Sequence, residues 1–149
     1  MKVSLRSTYG IMAAVDLAMH IDSVPIQAKS IARRQGIPAR FLEQVLHAMK
    51  KAGLVSSHRG AQGGYVLSKK PSELSVAEIL EALDGPFSSG PGLNGHGSVR
   101  RPSKSEVLLA KVWDRVGAAE RDVLDAITVE ELAGQQRQLE QQRSLMYHI

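Results

Sequence analysis

The sequence predicts a mainly helical fold with one small β-hairpin, and three observations support that prediction. Apolar residues recur at spacings of three and four in several segments, as they do on one face of an α-helix. Two short β-prone segments, LVSSHRG and GGYVLS, meet at a glycine-rich turn. The chain has 149 residues, of which 43% are hydrophobic, so it is long enough for one sizeable core. We therefore expect one globular unit.

Three helices are predicted before the hairpin. Residues 9–21 are almost continuously apolar with few β-branched side chains, which predicts a largely buried helix over about 5–22. The segment AKSIARRQG predicts a short second helix that Gly36 ends. Pro38 suits the first turn of a third helix over about 38–52, because its missing N–H is not needed there.

The third predicted helix has two different faces. Its apolar stripe follows helical spacing and comprises Leu42, Val45, Leu46 and Met49. The opposite face is polar and partly cationic, and comprises Arg40, Glu43, Gln44, His47 and Lys51. On an arbitrary helix such a face is most often only solvated, so its meaning depends on the neighbouring elements.

The order of helix, short helix, turn, helix and two-stranded ribbon is that of a winged helix-turn-helix. The wing would lie at RGAQGGY. Gly60, Gly63 and Gly64 allow positive φ angles and keep its tip thin enough to enter a groove, and Arg59 supplies a cation at its base. A phosphate-cradling loop is a poor alternative, because no Gly-Lys-Ser/Thr follows and the segment leads into a strand.

The second half of the chain predicts a long helix. A capping box at Ser75 and Glu78 first starts a helix that Gly85 stops, and a second box at Ser103 and Glu106 starts a helix of roughly 24 residues. Its apolar seam is narrow, and the rest of the chain offers little remaining core to cover it. We therefore expect the helix to join two copies of the chain rather than pack on its own domain. The residues expected at this interface are Leu109, Val112, Trp113, Val116 and Val123.

The predicted organisation has four parts. A winged helix-turn-helix domain comes first, then a flexible loop dense in Gly, Pro and Ser, then the dimerisation helix with a further helix, and finally a glutamine-rich tail that frays or extends past the fold. The expected bounds are 1–84, 85–102, 103–134 and 135–149 respectively.

Charge and composition favour some functions and exclude others. Residues 1–70 hold 11 Lys and Arg against 3 Asp and Glu, net +8, whereas residues 71–149 hold 8 against 12, net −4. Such an asymmetry favours contact with a polyanion, with ordinary solvated charge as the alternative. The absence of cysteine excludes disulfides, thiolate metal sites and a cysteine nucleophile. No spacing assembles a nucleophile, a base and an orienting group, so we expect no enzyme.

The sequence also bears on location. The apolar stretch IMAAVDLAM is interrupted by Asp16, and no small-residue cleavage pattern follows it, so a secretory signal is not expected. No apolar run reaches the length of about eighteen residues that a membrane span needs. We therefore expect a cytoplasmic protein that does not contact a membrane.

Four motifs resemble the IscR and NsrR family of bacterial transcription regulators, also called the Rrf2 family. STYGIMAAVDLA is similar to the first helix of that family, FLEQVL with KKAGLV to its recognition helix, RGAQGGY to its wing, and VW with VLDAITVEEL to its dimerisation helix and the step after it. The resemblance covers about residues 1–134. It implies a homodimeric repressor that lays two recognition helices into successive major grooves of a pseudo-palindromic DNA operator.

The resemblance also implies roles for individual residues. Base-reading positions fall on Glu43 and Gln44, and the minor-groove arginine on Arg59. Gln44 suits adenine, Glu43 suits the cytosine amino group or is only a surface charge, and Arg59 suits a narrow minor groove. Pro38 and Arg40 stand where many relatives carry serines, so the operator sequence is not expected to be the same as theirs. Arg40 is expected to add a phosphate or guanine contact.

The sensing function differs from that of many relatives, which hold an iron-sulfur cluster on three cysteines. Val107 and Ala110 occupy the positions of the third cysteine and a nearby histidine, so we expect no cofactor. Neutral serines in this region are poor substitutes for thiolates. His96, alone in the loop, is expected to be solvated, with metal binding as the less favoured alternative. A regulator controlled by a partner protein or small ligand at residues 86–102 remains the second hypothesis.

Overall fold

The computed structural model describes residues 1–23, 25–87 and 101–147. It confirms a mainly helical fold with a two-stranded antiparallel wing and long C-terminal helices. Short 3₁₀ turns lie at Ile21–Ser23 and Pro71–Glu73. The main elements, in chain order, are α1 Leu5–Met19, α2 Ala28–Gln35, α3 Ala39–Lys51, β1 Val55–His58, β2 Gly64–Leu67, α4 Val76–Asp84, α5 Lys104–Asp125 and α6 Val129–Tyr147.

Helix α1 lies at the centre of the core, as its apolar sequence predicts. It packs against α2, α3, α4 and α6, and Ala13, Ala14 and Leu17 have no solvent exposure. Small residues let the neighbouring helices approach closely. At Gly10 an added Cβ would overlap the Leu83 side chain of α4. The helix ends three residues earlier than expected, because a 3₁₀ turn follows it.

Helices α2 and α3 form the helix-turn-helix. Gly36 caps α2, and the N–H of Ile37 also bonds to the carbonyl of Ala32 at 3.0 Å. Pro38 lies at the N-cap of α3 with an extended ψ of 126°, so the helix begins at Ala39, one residue later than predicted. The predicted apolar stripe of α3 is buried in full, which fixes the opposite face outward.

The wing is tied to the helix-turn-helix by pairing that was not predicted. Strands β1 and β2 pair in register, with Val55 opposite Leu67 and His58 opposite Gly64. Ile26, just before α2, forms an antiparallel bridge with Tyr65. Its N–H donates to the Tyr65 carbonyl at 3.0 Å, and the Tyr65 N–H donates back at 2.8 Å. Strand β2 therefore cannot move independently of the segment that starts α2.

The connection between α5 and α6 is paired with the start of α4. The N–H of Val76 bonds to the carbonyl of Ile127, and the N–H of Val129 bonds to the carbonyl of Leu74. Val129 and Ala133 then join the same core as α1. The first turns of α6 therefore pack against the helices of the N-terminal half.

Helix α6 continues as one helix from Val129 to Tyr147. The hydroxyl of Thr128 accepts the N–H of Glu131 at 3.1 Å and so caps the start of this helix. Gln, Glu, Arg and Leu then continue the helix, since all four have good helix propensity. From Gln138 onward every described residue is exposed, so this end extends past the fold. No helix in the described ranges is long and apolar enough to cross a membrane.

Candidate nucleic-acid interface

The polar side chains predicted on α3 lie together on its outer face. Four of them line one shallow depression, and Lys51 follows His47 by one turn. All five are exposed, and within the described ranges none makes a hydrogen bond or an ion pair. Their donors and acceptors are therefore free for a ligand. The four lining residues are Arg40, Glu43, Gln44 and His47.

The first turn of α3 is held by an aromatic contact that sequence reasoning missed. The ring of Phe41 meets the ring of Tyr9 on α1 edge to face, with centroids 5.4 Å apart and planes at 80°. Both side chains are half-buried. This contact anchors α3 beside Arg40, at the end where its exposed face begins. The sequence shows two aromatic residues among few, but not their pairing.

Arg59 is the first residue of the turn that joins β1 to β2, as predicted for the base of the tip. Arg59 is exposed and has no ion-pair partner among the residues that the structure describes. The N–H of Gly63 closes the turn on the Gly60 carbonyl at 3.0 Å. Gly60 has a φ of 109°, which L side chains rarely adopt. This geometry presents a cation on a narrow turn.

Gly63 and Gly64 have a packing role in addition to keeping the tip thin. A Cβ at Gly63 would overlap the carbonyl oxygen of His58 across the turn. A Cβ at Gly64, whose φ is 153°, would overlap the backbone of Ile26. Gly63 is thus required by a close backbone approach inside the turn, whereas Gly64 is required by an approach to Ile26 that fixes the wing against the segment before α2. A side chain at Gly64 would push the wing away from that segment.

Further cations surround this face. Lys29 and Arg33 are exposed on α2, and Lys50 is exposed at the end of α3. All three lie in the basic first half of the chain, but they are not among the predicted site residues. The net charge of residues 1–70 is +8, which exceeds the charge of the predicted site residues. This excess indicates that further cations belong to the same surface.

The residues expected at a dimer interface lie uncovered along α5. Only Gly117 of this helix is buried, whereas Leu109, Val112 and Val123 are 53, 46 and 64% exposed. Trp113 and Val116 are also exposed, and so are Val107 and Leu108, which were not predicted. Met1 joins α5 to form a nearly apolar groove of about 430 Å³. The rest of the described chain therefore leaves this face open.

Residues 3–135 match the family model described as "Rrf2: Iron-dependent Transcriptional regulator". The chain belongs to the Rrf2 family. This Rrf2 regulator is 36% identical over 133 residues to the HTH-type transcriptional regulator CymR of Bacillus subtilis, covering 89% of this chain and 90% of CymR. It is 33% identical over 132 residues to the regulator IscR of Aliivibrio salmonicida, covering 89% and 77%.

Solved structures agree with this assignment. The structure of CymR, called the global cysteine regulator of B. subtilis, has a TM-score of 0.71 at 35% identity, covering 90% of this chain and 97% of CymR. IscR of T. potens has a TM-score of 0.68 at 36% identity, covering 91% and 88%. The protein is a DNA-binding transcriptional regulator and not an enzyme, as the sequence predicts.

The family is described as iron-dependent, but the described residues of this Rrf2 regulator do not fit an iron site. The chain has no cysteine, so it cannot hold a cysteine-ligated cluster. Val107 and Ala110 carry hydrocarbon side chains at the two expected ligand positions. In the described ranges no three His, Asp or Glu side chains are grouped to hold a metal ion. His96 and residues 88–100, including most of the loop considered for an effector, lie outside the described residues.

Proposed function

We propose that this Rrf2 regulator is a homodimeric, sequence-specific repressor that binds a pseudo-palindromic DNA operator without a cofactor. The observation that carries the proposal is the outer face of α3. Its polar side chains are exposed and have no partner among the described residues, while the apolar face of the helix is buried in the core. Unpaired donors and acceptors on a rigid helix suit base edges in a major groove, which is wide enough to admit one α-helix.

The proposed roles on α3 follow from side-chain chemistry. Gln44 pairs with adenine through its amide, and Glu43 accepts a hydrogen bond from a cytosine amino group. Arg40 contacts guanine or a phosphate at the start of the helix. His47 and Lys51, about two and three turns further on, contact the backbone and set the register of the helix on the duplex.

The wing has a separate role in this proposal. Arg59 enters the flanking minor groove, where a narrow groove has an enhanced negative potential. Gly60 and Gly63 give the turn its shape, and Gly64 holds the wing against the segment before α2. Distance and angle between α3 and Arg59 are thereby constrained, so one chain contacts two neighbouring grooves in a fixed relation.

Dimerisation is proposed through α5. Its exposed face presents Leu109, Val112, Trp113, Val116 and Val123, and an apolar surface of this extent is typical of an interaction site. A second copy has a matching surface because a two-fold interface is self-complementary. Two winged domains related by a two-fold axis require an operator with the same symmetry.

The proposal is tested by selecting DNA duplexes from a random library with the full chain. We expect an enriched inverted repeat, and an affinity that falls about 10³- to 10⁵-fold between about 50 and 200 mM salt if the dimer neutralises roughly six to ten phosphates. Arg59→Ala should weaken binding on all sequences, whereas Glu43→Ala should chiefly relax preference at one base pair. No enriched sequence, a salt-insensitive complex, or equal losses for both variants on every duplex would contradict it.

A further inference from the structure

Asp16, near the C-terminal end of α1, is the one buried charged residue in the ranges that the structure describes. Its side chain is 1% exposed and accepts three hydrogen bonds. Nη2 of Arg34 donates to Oδ1 at 2.7 Å, Nε of Arg34 donates to Oδ2 at 3.0 Å, and Nε2 of Gln35 donates to Oδ2 at 3.0 Å. We call these three residues the Asp16 clamp. Both donors lie in the last turn of α2.

Helix α2 buries few of its own side chains, although the Ile26–Tyr65 bridge ties the segment before it to the wing. It has eight residues, and only Ile31 and Ala32 are buried, whereas α3 buries four large apolar side chains. A helix of this length is not stable alone in water, so its pose depends on its contacts. A two-point bond between a guanidinium and a carboxylate fixes angle as well as distance, which apolar contact does not. The Asp16 clamp therefore sets how α2 lies against α1.

The Asp16 clamp is located where a change in the orientation of α2 would also change the orientation of α3. Arg34 and Gln35 are followed by the turn at 36–38 and then by the first residue of α3. In a helix-turn-helix the first helix crosses the DNA backbone and the second contacts base edges. Base contacts carry the sequence information, whereas phosphate contacts position the protein without reading sequence.

We propose that Asp16 is a positioning residue for base recognition. Its carboxylate holds the α2 end of the helix-turn-helix in the pose in which α3 meets base edges. The inference rests on the proposed function, because it requires that α3 reads bases. Asp16 itself does not touch DNA and acts through Arg34 and Gln35.

The surroundings of the clamp favour a fixed device over a pH switch. The hydrogen bond to Asp16 raises the pKa of Arg34 above its ordinary value, although burial opposes this, so the guanidinium stays charged. The ring of His20, at the end of α1, lies with Nδ1 2.9 Å from the carbonyl oxygen of Asp16 and 3.8 Å from Oδ1. The carboxylate already has its three donors from α2, so its pairing does not require a charged His20.

Arg34→Lys is the decisive variant. It keeps the charge and loses the two-point geometry, and Arg34 is 38% exposed, so the chain should still fold. Dissociation constants are measured for a duplex selected by the wild-type chain and for a scrambled duplex of the same length and composition. We expect affinity for the selected duplex to fall about tenfold, as for the loss of one good base contact, and affinity for the scrambled duplex to change less than about twofold.

Two further variants separate positioning from stability. Asp16→Asn should shift the ratio of the two affinities in the same direction, and Arg34→Lys keeps the test decisive if that variant does not fold. Val129→Ala removes methyl groups from the core on α6 and should lower stability with a wild-type ratio. An unchanged ratio in folded Arg34→Lys, or an equal fall in Val129→Ala, would overturn the inference alone. A wild-type chain that selects no sequence would overturn the proposed function, and this inference with it.

Discussion

Helices α1 and α5 are both rich in apolar residues, yet they have opposite surroundings. Eight of the fifteen residues of α1 are buried, against one of the twenty-two residues of α5. In α1 the buried positions are mostly small, so four other helices approach it closely. In α5 the exposed apolar residues include large side chains such as Leu109, Val112 and Trp113. Apolar content alone thus does not tell whether a helix is covered by its own chain.

The difference between the two helices separates folding from assembly. The free energy gained from burying α1 is available to a single chain, because all its partners lie in the described part of that chain. The free energy offered by the seam of α5 is available only when another surface covers it. Changes in α1 should therefore act at every protein concentration, and changes in α5 only where copies associate.

The largest expected effect comes from a matched pair of leucine truncations. Leu17→Ala in α1 empties a site with no solvent exposure and should lower the free energy of unfolding by about 2–5 kcal/mol. Leu109→Ala in α5 should lower it by less than about 0.5 kcal/mol at protein concentrations where single chains dominate. Urea unfolding at two protein concentrations measures both. A concentration-dependent loss for Leu17→Ala would remove the distinction between the helices.

A charge on the seam of α5 should separate the copies without unfolding them. Val112→Asp places a carboxylate at the centre of the proposed interface, where it would be buried without a partner, so the dimer dissociation constant should rise about a hundredfold, or about 2.8 kcal/mol. Leu139→Asp is the matched control, because Leu139 is 64% exposed on the overhanging end of α6. Sedimentation velocity with circular dichroism distinguishes dissociation from unfolding. A wild-type monomer, or equal effects of both variants, would contradict the α5 interface.

Much of the fold could be predicted because local signals coincide with the structure. The stripe of α3 repeats at helical spacing, and all four of its apolar members are buried. Both predicted capping boxes are present with both of their reciprocal hydrogen bonds, at Ser75 with Glu78 and at Ser103 with Glu106. These signals act within four residues of one another, so the sequence displays them directly.

The features that the sequence did not reveal depend on distant pairing. The Ile26–Tyr65 bridge joins single residues with no periodic pattern. In the sequence Asp16 is visible only as an interruption of an apolar run, because its partner Arg34 lies eighteen positions away. The outer face of α3 could be proposed from the sequence, but the contacts that hold α3 and the wing in place could not.

The smallest expected effect concerns the exposed start of α1, which is pinned to the end of α4. The hydroxyl of Ser4 donates to Oδ1 of Asp84 at 2.6 Å, and the N–H of Ser4 donates to Oδ2 at 3.3 Å. Burial raises the pKa of Asp84, but the bonds from Ser4 and the charge of Arg6 outweigh it, so the pKa lies below its ordinary value. The pin therefore stabilises the fold above the unfolded-state pKa of about 3.9 and is lost as pH falls through the lower folded value.

Asp84→Asn tests this pin without removing the N-cap that Ser4 also supplies. At about pH 7 the variant should be less stable by under about 1 kcal/mol, because the carboxylate is largely exposed and its interactions are screened by solvent. Urea unfolding from about pH 7 to about pH 3 should show this gap closing as Asp84 takes up a proton. A gap that stays constant across the titration would assign the effect to packing. The start of α1 would then be held by packing, as its core face is, and not by a charged contact.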